Sequence, residues 1–393
     1  MTSGRRAASR RPGGREIPAG GRGPDMMRWV APCLAGAAAC LATLAAGMTS
    51  AGSAPSAGPG FVRVRGNMLV RDGEPWTPHG FYQIAFEVPP AVAALPTSKP
   101  FWKIAYDHYT PEEYVRMRRV GADSVRFQVA QPGMDPQNAL YDPAYAGRAI
   151  GAVKAARAAG LTVILSIQDE VQTGEPVPSP LPNDATRRIW TYLAPIYGYD
   201  PGVLYELYNE PSPQPSAQNW SAWADAMNET IRTVRRAGGR NVVVADGLGA
   251  AQHLDGAPLL SDPLGQIAYA AHPYANRQAD QTEPVWEAKF GAFARLAPTI
   301  VTEWLPGYFC DADTPASTVA FFDYLTRLNV GLEIGIWDFS GPYFRTVNSD
   351  FPHTTVTSFQ GPTGPLACGA AGDGPGKTVE TWYRTGVVPA APL

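Results

Sequence analysis

Glu210 and Glu303 are the residues of this chain best placed to do chemistry. Each closes a short, apolar, β-branched run: Asn209-Glu210-Pro211 follows one, and Glu303-Trp304 follows another. Other such runs also end in polar groups. Arg126 lies near the end of the second run, Gln168-Asp169-Glu170 follows the third, His272-Pro273-Tyr274 the sixth, and Trp337-Asp338 closes the eighth. Two carboxyls among a cation, amides and aromatics suit cleavage of a glycosidic bond. One carboxylic acid protonates the leaving oxygen while a second carboxylate acts from the other side of the sugar ring. If the second is a nucleophile, the pair stands about 5–5.5 Å apart and anomeric configuration is retained. Glu303 as nucleophile must stay ionised, which Arg126 favours. Glu210 as acid must keep its proton, which partial burial and the charge of Glu303 favour. Trp337 and Trp304 offer flat faces on which pyranose rings can stack.

Eight strand-like runs position these groups: residues 76–84, 124–129, 161–167, 203–208, 241–245, 267–271, 299–302 and 332–337. Helical patterns separate most of them. Thr110-Pro111-Glu112-Glu113 reads as an N-cap, a first-turn proline and a capping-box glutamate, and Asp142-Pro143 and Thr314-Pro315 repeat the cap-then-proline signal. Ala159-Gly160 and Ala237-Gly238-Gly239 read as helix ends. Strands alternating with helices argue for a parallel sheet, and the glycine-rich dinucleotide turn of an open doubly wound sheet is missing. The reading is α/β, a closed (β/α)8 barrel, in which reactive groups gather at the C-terminal ends of the strands. Two strands on opposite sides, the fourth and the seventh, then bring Glu210 and Glu303 face to face. Glu206 shares a strand face with Glu210 but lies deeper, as a buried structural acid. Trp220, Trp223 and Phe290 sit on helical patterns and read as core.

Residues 1–54 are expected to be a basic leader and secretory signal, and residues 55–393 one catalytic domain. The leader carries seven arginines against Glu16 and Asp25, and an Ala-rich apolar run follows Arg28 before small residues at 50–54. A net charge of −3 overall therefore leaves about −8 on the remainder, which gives no electrostatic footprint for nucleic acid. A composition 45% hydrophobic and 17% charged excludes wholesale disorder. Loss of the leader removes Cys33 and Cys40. Cys310 and Cys368 remain, expected to form a disulfide between the loops that follow strands seven and eight. Residues 87–106 and 340–377 read as long loops walling a cleft. With five histidines, and only His272 convincingly at a strand end, no His-rich metal site is available, and no metal or cofactor is expected.

The segment Tyr205-Glu206-Leu207-Tyr208-Asn209-Glu210-Pro211 resembles the strand-four signature of glycoside hydrolase family 5, the cellulase-type retaining glycosidases. His272-Pro273-Tyr274, Thr302-Glu303-Trp304 and Trp337 follow in the order expected there, and Arg126 in Gly121-Ala122-Asp123-Ser124-Val125-Arg126 resembles the family's strand-two arginine. The resemblance covers roughly residues 60–385. It implies a cofactor-free barrel that hydrolyses β-linked glycans with retention, with Glu210 as acid/base and Glu303 as nucleophile. It further implies that Asn209 contacts the sugar 2-hydroxyl, that Tyr274 and Arg126 hydrogen-bond the nucleophile, that His272 is a site histidine, and that Trp337 is the platform under the ring beside the cleavage point. One departure is plain: the family usually has a substrate-binding histidine where this chain has Gln168. His79, in the first run, is a candidate to compensate. The expected protein is a secreted, monomeric endo-β-1,4-glucanase acting on a β-linked polysaccharide or oligosaccharide, with no membrane association after signal cleavage. An endo-β-mannanase or an exo-acting β-glycosidase are the alternatives within the family, and a non-catalytic carbohydrate-binding protein the alternative outside it.

Overall fold

The computed structural model describes residues 60–98, 102, 105–275, 277–306, 314–337, 347–350, 353–356 and 375–393. The leader, Asp338, the Cys310–Cys368 pairing and most of the 340–377 loop lie outside the described residues.

Eight parallel strands close into a barrel. In chain order they are His79–Gln83, Ser124–Ala130, Thr162–Gln168, Val203–Glu206, Val243–Asp246, Ile267–Ala270, Thr299–Trp304 and Gly331–Ile334, here strands one to eight. Each is paired in parallel with the next, and strand eight closes on strand one. All eight fall on the runs legible in the sequence. Strand two continues past Arg126 to Ala130, and strand one starts at His79 rather than at residue 76.

Ahead of strand one lies an antiparallel sheet, Val62–Arg65, Met68–Arg71 and Glu74–Pro75, absent from the sequence reading. Its Val62 and Leu69 pack on Ile164, Leu204, Val244, Ala268 and Ile300, closing the apolar layer at the N-terminal end of the barrel. Alternate residues of each strand face inward. Thus Val125, Phe127, Val163, Leu165, Val203 and Tyr205 join the core beneath the helices, while Arg126, Gln128, Gln168 and Glu206 fill the upper interior.

The helices start where their capping residues sit. Thr110 accepts from the Glu113 amide, Asp142 from Ala144, and Thr314 forms a capping box with Ser317. The Glu113 carboxylate takes the indole N–H of Trp337 at 2.7 Å and pairs with Arg116. Trp220, Trp223 and Phe290 are buried, as their helical spacing implied.

Candidate active site

The alternation of strand seven breaks between Val301 and Trp304, where its register with strand eight shifts. Thr302 points into the barrel, and the break lets the next side chain, Glu303, enter the mouth as well. Three donors fix its carboxylate. Arg126 Nη1 lies 2.7 Å and Gln128 Nε2 3.1 Å from Oε2, while the Tyr274 hydroxyl donates to Oε1 at 3.0 Å. Because the single Tyr274 proton goes to Glu303, the Tyr82 hydroxyl donates to Tyr274, at 3.1 Å. Gly335 lies against the Tyr82 ring so closely that a Cβ would fall within it. Gly335→Ala is therefore expected to cost about 1–3 kcal/mol of stability through overpacking, and to lower turnover by displacing the Tyr82–Tyr274 pair. An unchanged melting temperature and rate would refute that account.

Opposite stands Glu210. Beyond the end of strand four the backbone stays tied to its neighbours, Leu207 N to Val244 O and Asn209 N to Ile167 O. Glu210 itself adopts φ +49, a left-handed conformation that costs a non-glycine residue energy. Its amide is held in that turn by Asp246 Oδ2 at 3.1 Å. Its Oε1 lies 3.0 Å from His272 Nδ1. The partners settle where the protons are. Thr302 donates its hydroxyl proton to Glu206 at 3.0 Å, so it accepts from His272 Nε2–H at 2.9 Å. Burial pushes His272 down to about 4, leaving the ring neutral and Nδ1 bare. A bare nitrogen accepts, so Glu210 is the donor and carries a proton. Burial, then the charge of Glu303, push Glu210 up to about 8, in accord with that assignment.

One ligand-type atom each from Glu210, His272 and Glu303 lie within 4.8 Å of one another. An oxygen of each carboxyl thus lies within 4.8 Å of one on the other, a close approach of the kind a nucleophile and its acid/base partner make.

Beneath them Arg126, fully buried, grips Glu206 through Nε at 2.6 Å and Nη2 at 3.0 Å, and reaches Asn209 Oδ1 at 2.5 Å. For Glu206, burial raises the pKa, but Arg126 outweighs it and the carboxyl sits below its ordinary value. Asp246, hydrogen-bonded to Glu206, is pushed well up by burial and by that neighbour, so it holds the proton of the two. The Asn209 amide nitrogen donates to Glu170 at 3.1 Å.

Arg126, Asn209, Glu210, His272, Tyr274 and Glu303 thus meet at one mouth. Gln168 joins them, spanning from Gln128 at 3.0 Å to Glu87 at 3.2 Å. Three other expectations are corrected. His79 is the first residue of strand one, at the far end of the barrel from the carboxylates, and stacks on Tyr383 at 4.9 Å. Trp304 is fully buried against Phe321 and Phe322 beneath the helix Pro315–Leu328. Trp337 is buried on Phe81, ring centroids 4.6 Å apart, with its indole N–H on Glu113. The pleat of strand seven sends the Trp304 ring to the helix side rather than into the mouth, and Trp337, beyond the end of strand eight, is held there by Phe81 and Glu113.

Sequence reasoning missed Gln128, Asp246, Tyr82 and the roles of Glu170 and Glu87. Gln128 is two residues beyond Arg126 and so on the same face of strand two. Asp246 is the polar residue that directly follows the fifth apolar run.

The chain matches the model of the cellulase family, glycosyl hydrolase family 5, over residues 87–341, and it belongs to that family. Among curated relatives it is 32% identical over 114 residues to the manganese dependent endoglucanase Eg5A of Phanerodontia chrysosporium; the match spans 26% of this chain and 29% of that protein's length. Its fold resembles that of the β-glucanase SdGluc5_26A from Saccharophagus degradans in complex with cellotetraose, with a TM-score of 0.54 and 20% identity over 72% of this chain and 86% of that one. It likewise resembles a β-mannanase from Thermomonospora fusca, with a TM-score of 0.51 and 18% identity over 71% and 85% of the two chains. These structural likenesses speak for the shared barrel.

Proposed function

We propose that this protein is a retaining endo-β-glycanase acting on β-1,4-glucan, exported by its N-terminal leader and working as a monomer. The observation that carries the reading is the pairing of Glu210 and Glu303 within 4.8 Å, in unlike surroundings. Glu303 faces a guanidinium and two further donors, which orient and hold a negative charge. Glu210 faces a bare imidazole nitrogen, which holds a proton on the carboxyl.

In the first half-reaction Glu303 attacks the anomeric carbon while the Glu210 proton passes to the leaving glycosidic oxygen. In the second, water attacks the glycosyl-enzyme, Glu210 takes its proton and Glu303 is released. Family membership and the endoglucanase relative support the glucan reading.

A reducing-sugar panel on carboxymethylcellulose, mixed-linkage glucan, mannan, xylan and short aryl glycosides tests it, with the product anomer followed by NMR. Release from the two glucans, faster than from mannan, with a β-anomer formed first, is the expected result. Preference for mannan would move the assignment to an endo-β-mannanase, terminal release of single sugars to an exo-glycosidase, and a first-formed α-anomer would overturn the double displacement.

A further inference from the structure

Two buried amides lie between the nucleophile and an acid on the opposite side of the mouth. Gln128 is on strand two and Gln168 is the last residue of strand three. Gln128 Nε2 lies 3.0 Å from Gln168 Oε1, 3.1 Å from Glu303 Oε2 and 3.3 Å from Asn209 Oδ1. Its carbonyl oxygen is buried and has no hydrogen-bond partner among the described residues. The way the amide faces is nonetheless decided. Glu303 is a carboxylate, and Asn209 Oδ1 already accepts from Arg126 Nη2, so both are acceptors and the NH₂ of Gln128 must face them.

Three acceptors thus compete for two hydrogens. The two N–H bonds of an amide lie in one plane at a fixed angle, so placing one aims the other. With one hydrogen on Gln168, the second is left for Glu303 or Asn209, and Glu303 is both nearer and charged. Without an acceptor at position 168 a buried N–H is left bare, and the amide relieves that cost by turning toward Asn209. Gln168 is held in its own turn. Its oxygen faces Gln128, so its nitrogen faces away, and Nε2 donates to Glu87 Oε1 at 3.2 Å. Glu87 closes the turn Ala85–Glu87 after strand one and is itself buried. Turned over, Gln168 would set its NH₂ against that of Gln128; the acceptor on Glu87 keeps it the other way.

We infer that Gln168 and Glu87 are positioning residues for the nucleophile: Glu87 turns the Gln168 carbonyl toward Gln128, Gln168 holds one hydrogen of Gln128, and the other is thereby kept on Glu303. The inference rests on the glycosidase reading above and names what aims its nucleophile. Gln168 is 1% exposed, so it acts through Gln128 rather than by touching a sugar. No proton leaves either amide during the reaction.

The test measures kcat/KM of the full-length enzyme on phenyl β-cellobioside and on 2,4-dinitrophenyl β-cellobioside, whose leaving group needs no proton. Gln168→Met keeps the length of the side chain and can neither hold Gln128 nor reach Glu87. It is expected to lose about tenfold on both substrates alike, since the attack of Glu303 is common to them. Gln168→His should recover most of that loss, because a neutral imidazole accepts at one nitrogen and donates at the other. A merely space-filling role predicts the reverse order, with methionine tolerated and the bulkier ring not. In the Gln128→Met background, Gln168→Met should cost no more than about a further twofold, the mark of one residue acting through the other. If Gln168→Met does not fold, Glu87→Met takes its place in the same cycle, with a severalfold loss expected alone and little beyond that of Gln128→Met. The inference is overturned by normal rates in the folded variant, by histidine doing no better than methionine, or by losses that multiply in the double variant. Glu303→Gln is the control: if it cleaves the dinitrophenyl substrate at the normal rate, the glycosidase reading itself is wrong and the inference falls with it. If that control is inactive while the cycle fails, only the inference falls.

Discussion

Glu303→Gln is expected to remove turnover on every glycan the enzyme accepts, by at least about 10⁴-fold, as loss of a nucleophile does elsewhere. The amide keeps the shape of the side chain and has no charge or lone pair able to form the glycosyl ester. It should also keep the fold. Arg126 and Gln128 both donate to one oxygen of Glu303, while the other oxygen faces the Tyr274 hydroxyl. A glutamine can turn its carbonyl to the two donors and its NH₂ to Tyr274, which can accept as well as donate. Melting within a few degrees of wild type together with abolished turnover is thus the expected pair of results. Glu210→Ala should behave differently. Its loss is felt most with poor leaving groups, and azide, which needs no general base, should restore part of the rate on an activated aryl glycoside. If Glu303→Gln retains near-normal rates, the nucleophile is another residue and the roles of Arg126 and Tyr274 must be reassigned.

Why the carboxylate pair was legible, and its aromatic surroundings were not, follows from what each signal measures. An apolar run ending in a polar group marks the place where a buried strand meets the mouth of a barrel. That rule found Glu210, Glu303, His272 and Gln168 because their chain positions alone put them at that rim. It would have found Asp246 too, had it been applied to the run ending at Ala245. It says nothing of direction. Trp304 and Trp337 are at the right height, yet the pleat turns Trp304 outward onto Phe321 and Trp337, beyond the end of strand eight, packs on Phe81, and only the register break beside Glu303 lets two consecutive residues of strand seven face inward. His79 fails for the opposite reason: a run that starts at residue 76 puts it partway up, whereas strand one begins at His79 and leaves it at the base of the barrel. The antiparallel sheet at 62–75 escaped because its strands are short: Val62-Arg63-Val64-Arg65 alternates with exposed arginines, Met68-Leu69-Val70-Arg71 has only Leu69 and Val70 buried, and Glu74–Pro75 is two exposed residues.

Arg126→Leu is expected to be the most destabilising single change in the barrel interior, by about 3–5 kcal/mol at neutral pH, because it strips the cation from a buried cluster rather than replacing the cluster. Glu206 is fully buried and receives two of the guanidinium's bonds; Glu303 and Asn209 receive one each. A leucine fills part of the volume and satisfies none of these acceptors. The pH dependence separates this electrostatic cost from a packing defect. In the wild type, burial raises the Glu206 pKa and Arg126 more than reverses it, so the carboxyl sits below its unfolded value. That contribution is present above the ordinary carboxylate range and fades as pH falls through the lowered pKa. In the variant burial is opposed only by the hydrogen bonds from Thr302 and Asp246, and the same carboxyl is expected to rise above its unfolded value. Folding then takes up a proton, which favours the folded state at low pH and is progressively lost as pH climbs. Both effects widen the stability gap between the two proteins as pH increases. Denaturant melts of wild type and Arg126→Leu at pH 4.5 and pH 7.5 should therefore differ by less at the lower pH, and the variant should lose activity far beyond its loss of fold, since Glu303 no longer has the guanidinium that orients it. A gap equal at both pH values would show that Arg126 serves the barrel by filling space, and the charge-pairing account of the site would have to be abandoned.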